Sequence, residues 1–91
     1  MARTVHRFDI GPAGKDITLP HDATVIAVDH GPIPGLIDVW VLLDTNAPTQ
    51  ARRFTYTGTG HPVPEDAHHI ASTPRHGDTG LVWHLFEIRQ G

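Results

Sequence analysis

Residues 36–43 read LIDVWVLL, and every residue in this stretch except Asp38 is apolar. Its isoleucine, valines and tryptophan favour a β-strand over a helix. Turn-forming residues enclose the stretch, with glycines and prolines within residues 31–35 and Asp44, Asn46 and Pro48 behind it. The stretch therefore predicts a strand that carries apolar side chains on both faces.

The rest of the chain follows the same plan of short strands between turns. Eight prolines and nine glycines interrupt the sequence, and no segment between them keeps apolar residues at helical spacing for three turns. We predict six or seven strands, at residues 4–10, 16–19, 24–29, 36–43, 50–57, 68–72 and 81–88. This spacing indicates an all-β fold, a small antiparallel β-sandwich or barrel, with residues 1–91 as a single domain.

Composition excludes several classes of protein. The chain has no cysteine, which rules out disulfides, zinc-thiolate sites and thiol nucleophiles. Its formal charge is −3 with seven lysines and arginines, so it lacks the basic surface of a nucleic-acid-binding protein. No apolar run approaches the length of a membrane span. We therefore expect a soluble, intracellular protein that contacts neither nucleic acid nor a membrane.

Two of the predicted strands have more apolar side chains than one sheet face can hold. Both faces of residues 36–43 and of residues 81–88 are mostly apolar, whereas a two-layer domain buries one face of each sheet. Two interpretations stay open. Either a terminal segment or the 31–35 loop folds over the second faces, or these faces bind a protein partner or a second copy of the chain. The candidate partner-binding residues are Leu36, Trp40, Leu42, Trp83 and Leu85.

The sequence is rich in histidine, with eight in 91 residues. No HxH or HExxH spacing marks a zinc site, and His68 and His69 point to opposite faces of a strand. We predict surface or half-buried histidines and neither a metal nor another cofactor; a cluster of His61, one of that pair and His84 is the alternative. Protonating all eight near pH 6.5 would take the formal charge from −3 to −3 + 8 = +5, which predicts pH-dependent solubility or assembly.

Catalytic signals are weak, so an enzyme is the least favoured interpretation and no catalytic residue is assigned. Ser72 is the only serine, and no Gly-x-Ser-x-Gly elbow surrounds it. Glu65 and Asp66 are adjacent in a loop and do not form a general acid/base pair.

The loop at residues 58–64 permits two interpretations. Gly58-Thr59-Gly60 resembles the start of a phosphate-binding loop, but a third glycine and a Lys-Ser/Thr pair are missing. The glycines are explained by a turn that needs positive φ angles or a close backbone approach. The alternative is a ligand loop, with Gly58, Gly60, His61 and His84 as its candidate residues.

Two motifs carry a family resemblance. Residues 53–64, RFTYTGTGHPVP, and residues 81–87, LVWHLFE, resemble a family of small uncharacterised proteins encoded by tailed phages, especially those of actinobacteria. The resemblance covers roughly residues 36–88. Arginine outnumbers lysine six to one, which fits the GC-rich genomes of such hosts. His61 and His84 lie within these motifs, which makes them stronger candidates for a shared polar site than the other six histidines.

The resemblance implies no known activity but suggests a setting, either the cytoplasm of an infected bacterium or the virion. Our leading hypothesis is a non-enzymatic phage accessory protein that binds a protein partner, a host factor or itself, through apolar strand faces. One alternative is a virion structural component such as a capsid decoration protein. The other is a small-molecule or metal-binding module that uses the 58–64 loop.

Overall fold

The structure, a computed structural model, describes residues 2–88 and contains seven antiparallel strands in this range. They are β1 (Arg3–Ile10), β2 (Lys15–Pro20), β3 (Thr24–His30), β4 (Ile37–Asp44), β5 (Thr49–Gly58), β6 (Ala67–Ser72) and β7 (Trp83–Ile88). The predicted all-β fold is confirmed, as a small sandwich of two sheets. Within residues 2–88 no helix is long and apolar enough to cross a membrane.

One sheet has three strands in the order β1-β4-β3, and the other has four in the order β2-β5-β7-β6. The chain passes between the sheets three times, from β1 to β2, from β2 to β3 and from β4 to β5. Two hairpins remain within a sheet, β3–β4 with the loop at residues 31–36 and β6–β7 with the longer loop at residues 73–82. The loops of these hairpins lie together, since the ring of His30 at the end of β3 reaches the backbone of Pro74 just after β6.

The predicted strands agree with the observed ones to within two residues at each end. The largest differences are at β7, which begins at Trp83 rather than at residue 81. Leu81 is in the hairpin turn instead, where its carbonyl accepts a hydrogen bond from the amide of His76. Likewise Leu36 precedes β4 and closes the β3–β4 turn by accepting from the amide of Gly31.

The core lies between the two sheets and takes one face of each. Alternate residues of β4 form its centre, and all four of its inward side chains are buried. The largest fully buried side chains are Phe54, Ile10, Leu19, Ile37, Leu85, Val39 and Val41. Burial of each contributes roughly 1.5–3 kcal/mol, so this cluster is the main source of stability.

An ion pair closes one end of this interior. The guanidinium of Arg52 on β5 donates two hydrogen bonds of 2.8 Å to the carboxylate of Glu87 on β7. It also donates to the carbonyls of Pro20 and Ala23, at 3.3 and 2.8 Å, in the turn between β2 and β3. The Arg52 side chain is only 12% exposed, and a charge with so little access to water needs hydrogen-bond partners in the protein. These four hydrogen bonds supply them.

Candidate functional sites

The five side chains proposed to bind a partner are distributed over three parts of the molecule. Leu85 is completely buried in the core, with 0% of its surface exposed. Leu36 and Trp83 line a groove between the two hairpin loops. Trp40 and Leu42 lie half-buried on the outer face of the three-stranded sheet. They therefore do not form one continuous surface.

The position of Leu85 corrects the sequence interpretation of β7. Leu85 pairs directly with Tyr56 on β5 and with Ala71 on β6, and all three side chains point inward. The opposite face of β7 carries His84 and Phe86, which point away from the core. Both faces of β7 contain large apolar residues, so the alternation alone did not show which one is buried.

The groove between residues 31–36 and residues 76–83, called the loop groove below, has a volume of about 240 Å³. Its walls are apolar, with Ile33 and Leu81 exposed at 58% and 46%. The hydroxyl of Tyr56 donates a hydrogen bond to the carbonyl of Gly35, and its ring meets that of Trp83 edge-on at 5.1 Å. The 31–36 loop and Trp83 are thus linked through Tyr56, which contacts both.

Two histidines join the loops at one end of this groove. His30 Nε2 lies 2.8 Å from the carbonyl oxygen of Pro74, so this nitrogen carries the proton and donates. His76 Nδ1 accepts from the amides of Asp78 and Thr79 at 3.3 Å. The two rings meet edge-on with centroids 4.9 Å apart. Sequence reasoning did not single out this pair, because no local spacing marks residues that only the sheet stacking brings together.

A chain of polar side chains lies on the outer face of the four-stranded sheet. Ser72 Oγ is 2.6 Å from His84 Nδ1 and 3.0 Å from His69 Nε2. On its other side, His84 Nε2 is 2.9 Å from the hydroxyl of Thr59. The 58–64 loop therefore does meet His84, but through Thr59. Within residues 2–88 no hydrogen bond or ring contact joins His84 to His61.

This polar chain contains a short serine–histidine contact on the outer face of the sheet. Ser72 and His69 are exposed to solvent, and the larger grooves of residues 2–88 are lined by other residues. The donors and acceptors satisfy one another along the chain. The arrangement fixes the side chains that cover this sheet face.

The glycines of the 58–64 loop have the structural roles that the sequence suggested. A Cβ on Gly58 would lie 2.9 Å from Trp83 Cζ3, so only glycine leaves space for the indole on the neighbouring strand. Gly60 has a φ of +89°, a conformation that other residues rarely adopt. Across the described part of the chain, no group of three or more histidine, aspartate or glutamate side chains is arranged to hold a metal ion.

The outer face of the three-stranded sheet carries the largest apolar side chains that no second layer covers. Val5 is 45% exposed and Ile26 53%, and they flank the half-buried Trp40 and Leu42 of the central strand. A bulge between Val25 and Ala27 keeps Val25 packed against the core and turns Ile26 outward. We call Val5, Ile26, Trp40 and Leu42 the outer patch.

Charged side chains border the outer patch on the same face. Arg7, which pairs with Trp40 across the ladder, lies 3.8 Å from the carboxylate of Asp38. Asp38 in turn has Asp9 and Asp29 directly opposite on the two neighbouring strands. An apolar centre with a charged rim is the usual composition of a protein-binding surface.

The whole chain, residues 1–91, matches the model of a family described as a domain of unknown function, DUF7352, and it belongs to that family. Neither a curated protein nor a solved structure matches it.

Proposed function

We propose that this protein acts by binding another protein through the outer patch. One observation carries the proposal: four large apolar side chains share a sheet face, and within residues 2–88 no further layer packs over them. A small domain loses stabilisation by leaving such surface in water, unless a partner covers it. The loop groove is the weaker candidate, because Trp83 in its wall already packs against the core.

The chemistry of the patch indicates the kind of partner. Tryptophan at the centre of an apolar patch is the residue type that most often dominates binding energy, and Trp40 has this position. Arg7 and the exposed aspartates Asp9 and Asp29 lie side by side at one end of the patch, around the buried Asp38, and they set the orientation of the partner. The complementary surface is an apolar patch on a protein, with an acidic group over Arg7 and a basic group over the aspartates.

The setting of this binding is also a proposal. The resemblance of residues 53–64 and 81–87 to tailed-phage proteins suggests an accessory protein that binds a host factor in the cytoplasm of an infected bacterium. Binding to a virion protein is the alternative setting, and it predicts a fixed number of copies in purified particles.

The test compares two lysine substitutions on opposite outer faces. Leu42→Lys places a charge in the outer patch, whereas Thr55→Lys places the same charge on the outer face of the four-stranded sheet. Both variants and the wild type carry the same affinity tag and are expressed in the bacterial host, and co-purified proteins are quantified by mass spectrometry.

We expect the same partner with the wild type and with Thr55→Lys, and at least about a tenfold loss with Leu42→Lys. Thermal melts confirm that each variant is folded. Equal recovery of every partner by a folded Leu42→Lys variant would exclude the outer patch as the binding surface.

A further inference from the structure

Three of the four edge strands of this sandwich carry a feature that discourages pairing with another chain. Strands β3 and β6 contain bulges, at Val25/Ala27 and at His69/Ala71. Strand β2 is six residues long and ends in Pro20, which has no amide hydrogen to donate. Strand β1 is different, since its eight residues contain no proline and pair with β4 without any shift in register.

Two hydrogen bonds fix which backbone groups of β1 are free. The amide of Thr45 donates to the carbonyl of Ala2 at 2.8 Å, which makes that pair a hydrogen-bonded one. The amide of Gly31 donates to the carbonyl of Leu36 at 2.8 Å on the other side of β4, which sets the same alternation independently. The even-numbered residues of β1 therefore bond to β4.

The odd-numbered residues of β1, which are Arg3, Val5, Arg7 and Asp9, consequently direct their N–H and C=O groups away from the sheet. These groups form a regular row along an open edge that extends through most of the strand. A row of this kind is a template for one further antiparallel strand.

We propose that the additional strand is β1 of a second copy, so that two three-stranded sheets join into one six-stranded sheet about a two-fold axis. The evidence for this occupant is the charge pattern of the strand, which is self-complementary. Arg3 near one end and Asp9 near the other have side chains on the same face and backbone groups directed to the open edge. Antiparallel pairing about His6 places Arg3 of each copy directly opposite Asp9 of the other.

The alternative registers are less favourable. Pairing about Val5 sets Arg3 against Arg7, and pairing about Arg7 sets two Arg7 side chains against each other; like charges directly opposite are destabilising. Pairing about Phe8 sets Arg7 against Asp9 but brings only residues 6–10 of each strand together. The register about His6 aligns residues 3–9, with Val5 of one copy opposite Arg7 of the other.

The existing contacts of Asp9 do not oppose this arrangement. In the single chain Asp9 bonds to Lys15 at 3.2 Å, and both side chains are largely exposed, at 58% and 44%. Such a surface ion pair contributes little and rearranges readily. The paired dimer also places the two outer patches side by side on one continuous sheet face, because Val5 is on the same face as Trp40 and Leu42.

The absence of cysteine from the sequence makes this register directly testable by crosslinking. His6 faces its own symmetry mate across a non-hydrogen-bonded pair, where the Cα atoms are about 4.5 Å apart, within the range of a disulfide. Under mild oxidation we expect His6→Cys to give a crosslinked dimer and Arg7→Cys to remain uncrosslinked. Crosslinking through Arg7→Cys alone would overturn the proposed register.

Charge reversal tests the same pairing without a covalent bond. We expect the wild type to sediment as a dimer, and Arg3→Asp or Asp9→Arg alone to weaken dimerisation by about tenfold. The double variant Arg3→Asp/Asp9→Arg restores both pairs and should recover the dimer. A wild type that stays at the 10.0 kDa of one chain up to millimolar concentration would overturn the proposal.

Val5→Pro removes one amide hydrogen that faces the open edge and none that faces β4, so we expect a folded monomer. A Val5→Pro variant that remains a dimer would also overturn the pairing. The test of dimerisation is independent of the test of partner binding. Leu42→Lys leaves the β1 edge intact, so this variant should remain a dimer even where it loses its partner.

Discussion

The two tryptophans of this protein begin from similar sequence surroundings and end in different structural ones. Trp40 and Trp83 both belong to strands with apolar residues on both faces, and both are half-buried. Trp83 packs against the ring of Tyr56 and above Gly58, and it shares a groove with the 31–36 loop. Trp40 lies on the outer face of its sheet, between its cross-strand partners Arg7 and Ala27.

The excess apolar surface of this small sandwich is distributed over two places. One part, around Trp83, lies at the end of the sandwich where the two hairpin loops meet. The hydroxyl of Tyr56 holds the β3–β4 loop there, and the ring of His30 holds the β6–β7 loop. The other part is left on an outer face, bordered by charges. The comparison predicts that perturbations near Trp83 affect stability and that perturbations near Trp40 affect binding.

The largest expected effect is that of Trp83→Ala. Removing the indole leaves the 31–36 loop and Tyr56 without their packing partner, so the free energy of unfolding should fall by about 2–3 kcal/mol, less than for a fully buried tryptophan. Trp40→Ala should cost about 1 kcal/mol or less. Urea unfolding monitored by circular dichroism measures both, and equal losses would remove the distinction between the two sites.

The second effect concerns the space beneath the indole. Gly58→Ala places a methyl group 2.9 Å from Trp83 Cζ3 and should cost about 1–2 kcal/mol through displacement of the ring. Gly77→Ala is the matched control, since a Cβ there has no atom within 4 Å. Thermal melts of the two variants should differ by several degrees; similar melting temperatures would show that the ring moves without cost.

The third effect depends on pH. Burial raises the pKa of the Tyr56 hydroxyl above its ordinary value of 10.0. The unfolded chain then loses this proton more readily than the folded one, so the contribution of Tyr56 is complete below pH 10 and declines as the pH rises further. Tyr56→Phe should cost about 1 kcal/mol at neutral pH through loss of the bond to Gly35.

Urea titrations at a series of pH values above 10 compare the wild type with Tyr56→Phe. We expect the difference in stability between them to shrink as the pH rises, since only the wild type loses the contribution of the neutral hydroxyl. A difference that stays constant across this range would mean that the pKa of Tyr56 is the same in the folded and the unfolded chain.

The smallest effect is expected in the outer patch. Val5→Thr keeps a β-branched side chain at a position that is 45% exposed, and it should change stability by no more than about 0.5 kcal/mol. A loss of more than about 1 kcal/mol would indicate that Val5 supports the fold rather than a surface.

The strands were predictable because their signals are local. Turn residues bound each segment, and branched and aromatic residues fill it, so all seven strands follow from the sequence to within two residues. Their grouping was not predictable, since three crossings between the sheets leave no local mark. The buried face of β7 depends on that grouping, which explains why Leu85 was assigned to a surface although it belongs to the core.

The candidate sites also divide into features with a local sequence signal, which were predictable, and features that depend on strand order, which were not. The positive φ of Gly60 and the close approach at Gly58 agree with the roles predicted for these glycines, because both depend on the missing side chain. The His30–Pro74 bond and the His69–Ser72–His84–Thr59 chain depend on which strands are neighbours, and no spacing in the sequence encodes that. The dependence of assembly on histidine protonation stays a prediction.

The order β2-β5-β7-β6 has a consequence for synthesis on the ribosome. Strand β7 lies between β5 and β6, which precede it in the chain, and among the strands of residues 2–88 only β7 pairs with β6. Because β7 is the last of the seven strands to be made, β6 cannot join the sheet until β7 inserts between it and β5. The four-stranded sheet is therefore completed by its last strand, and a chain truncated before Trp83 would leave β5 and β6 unjoined.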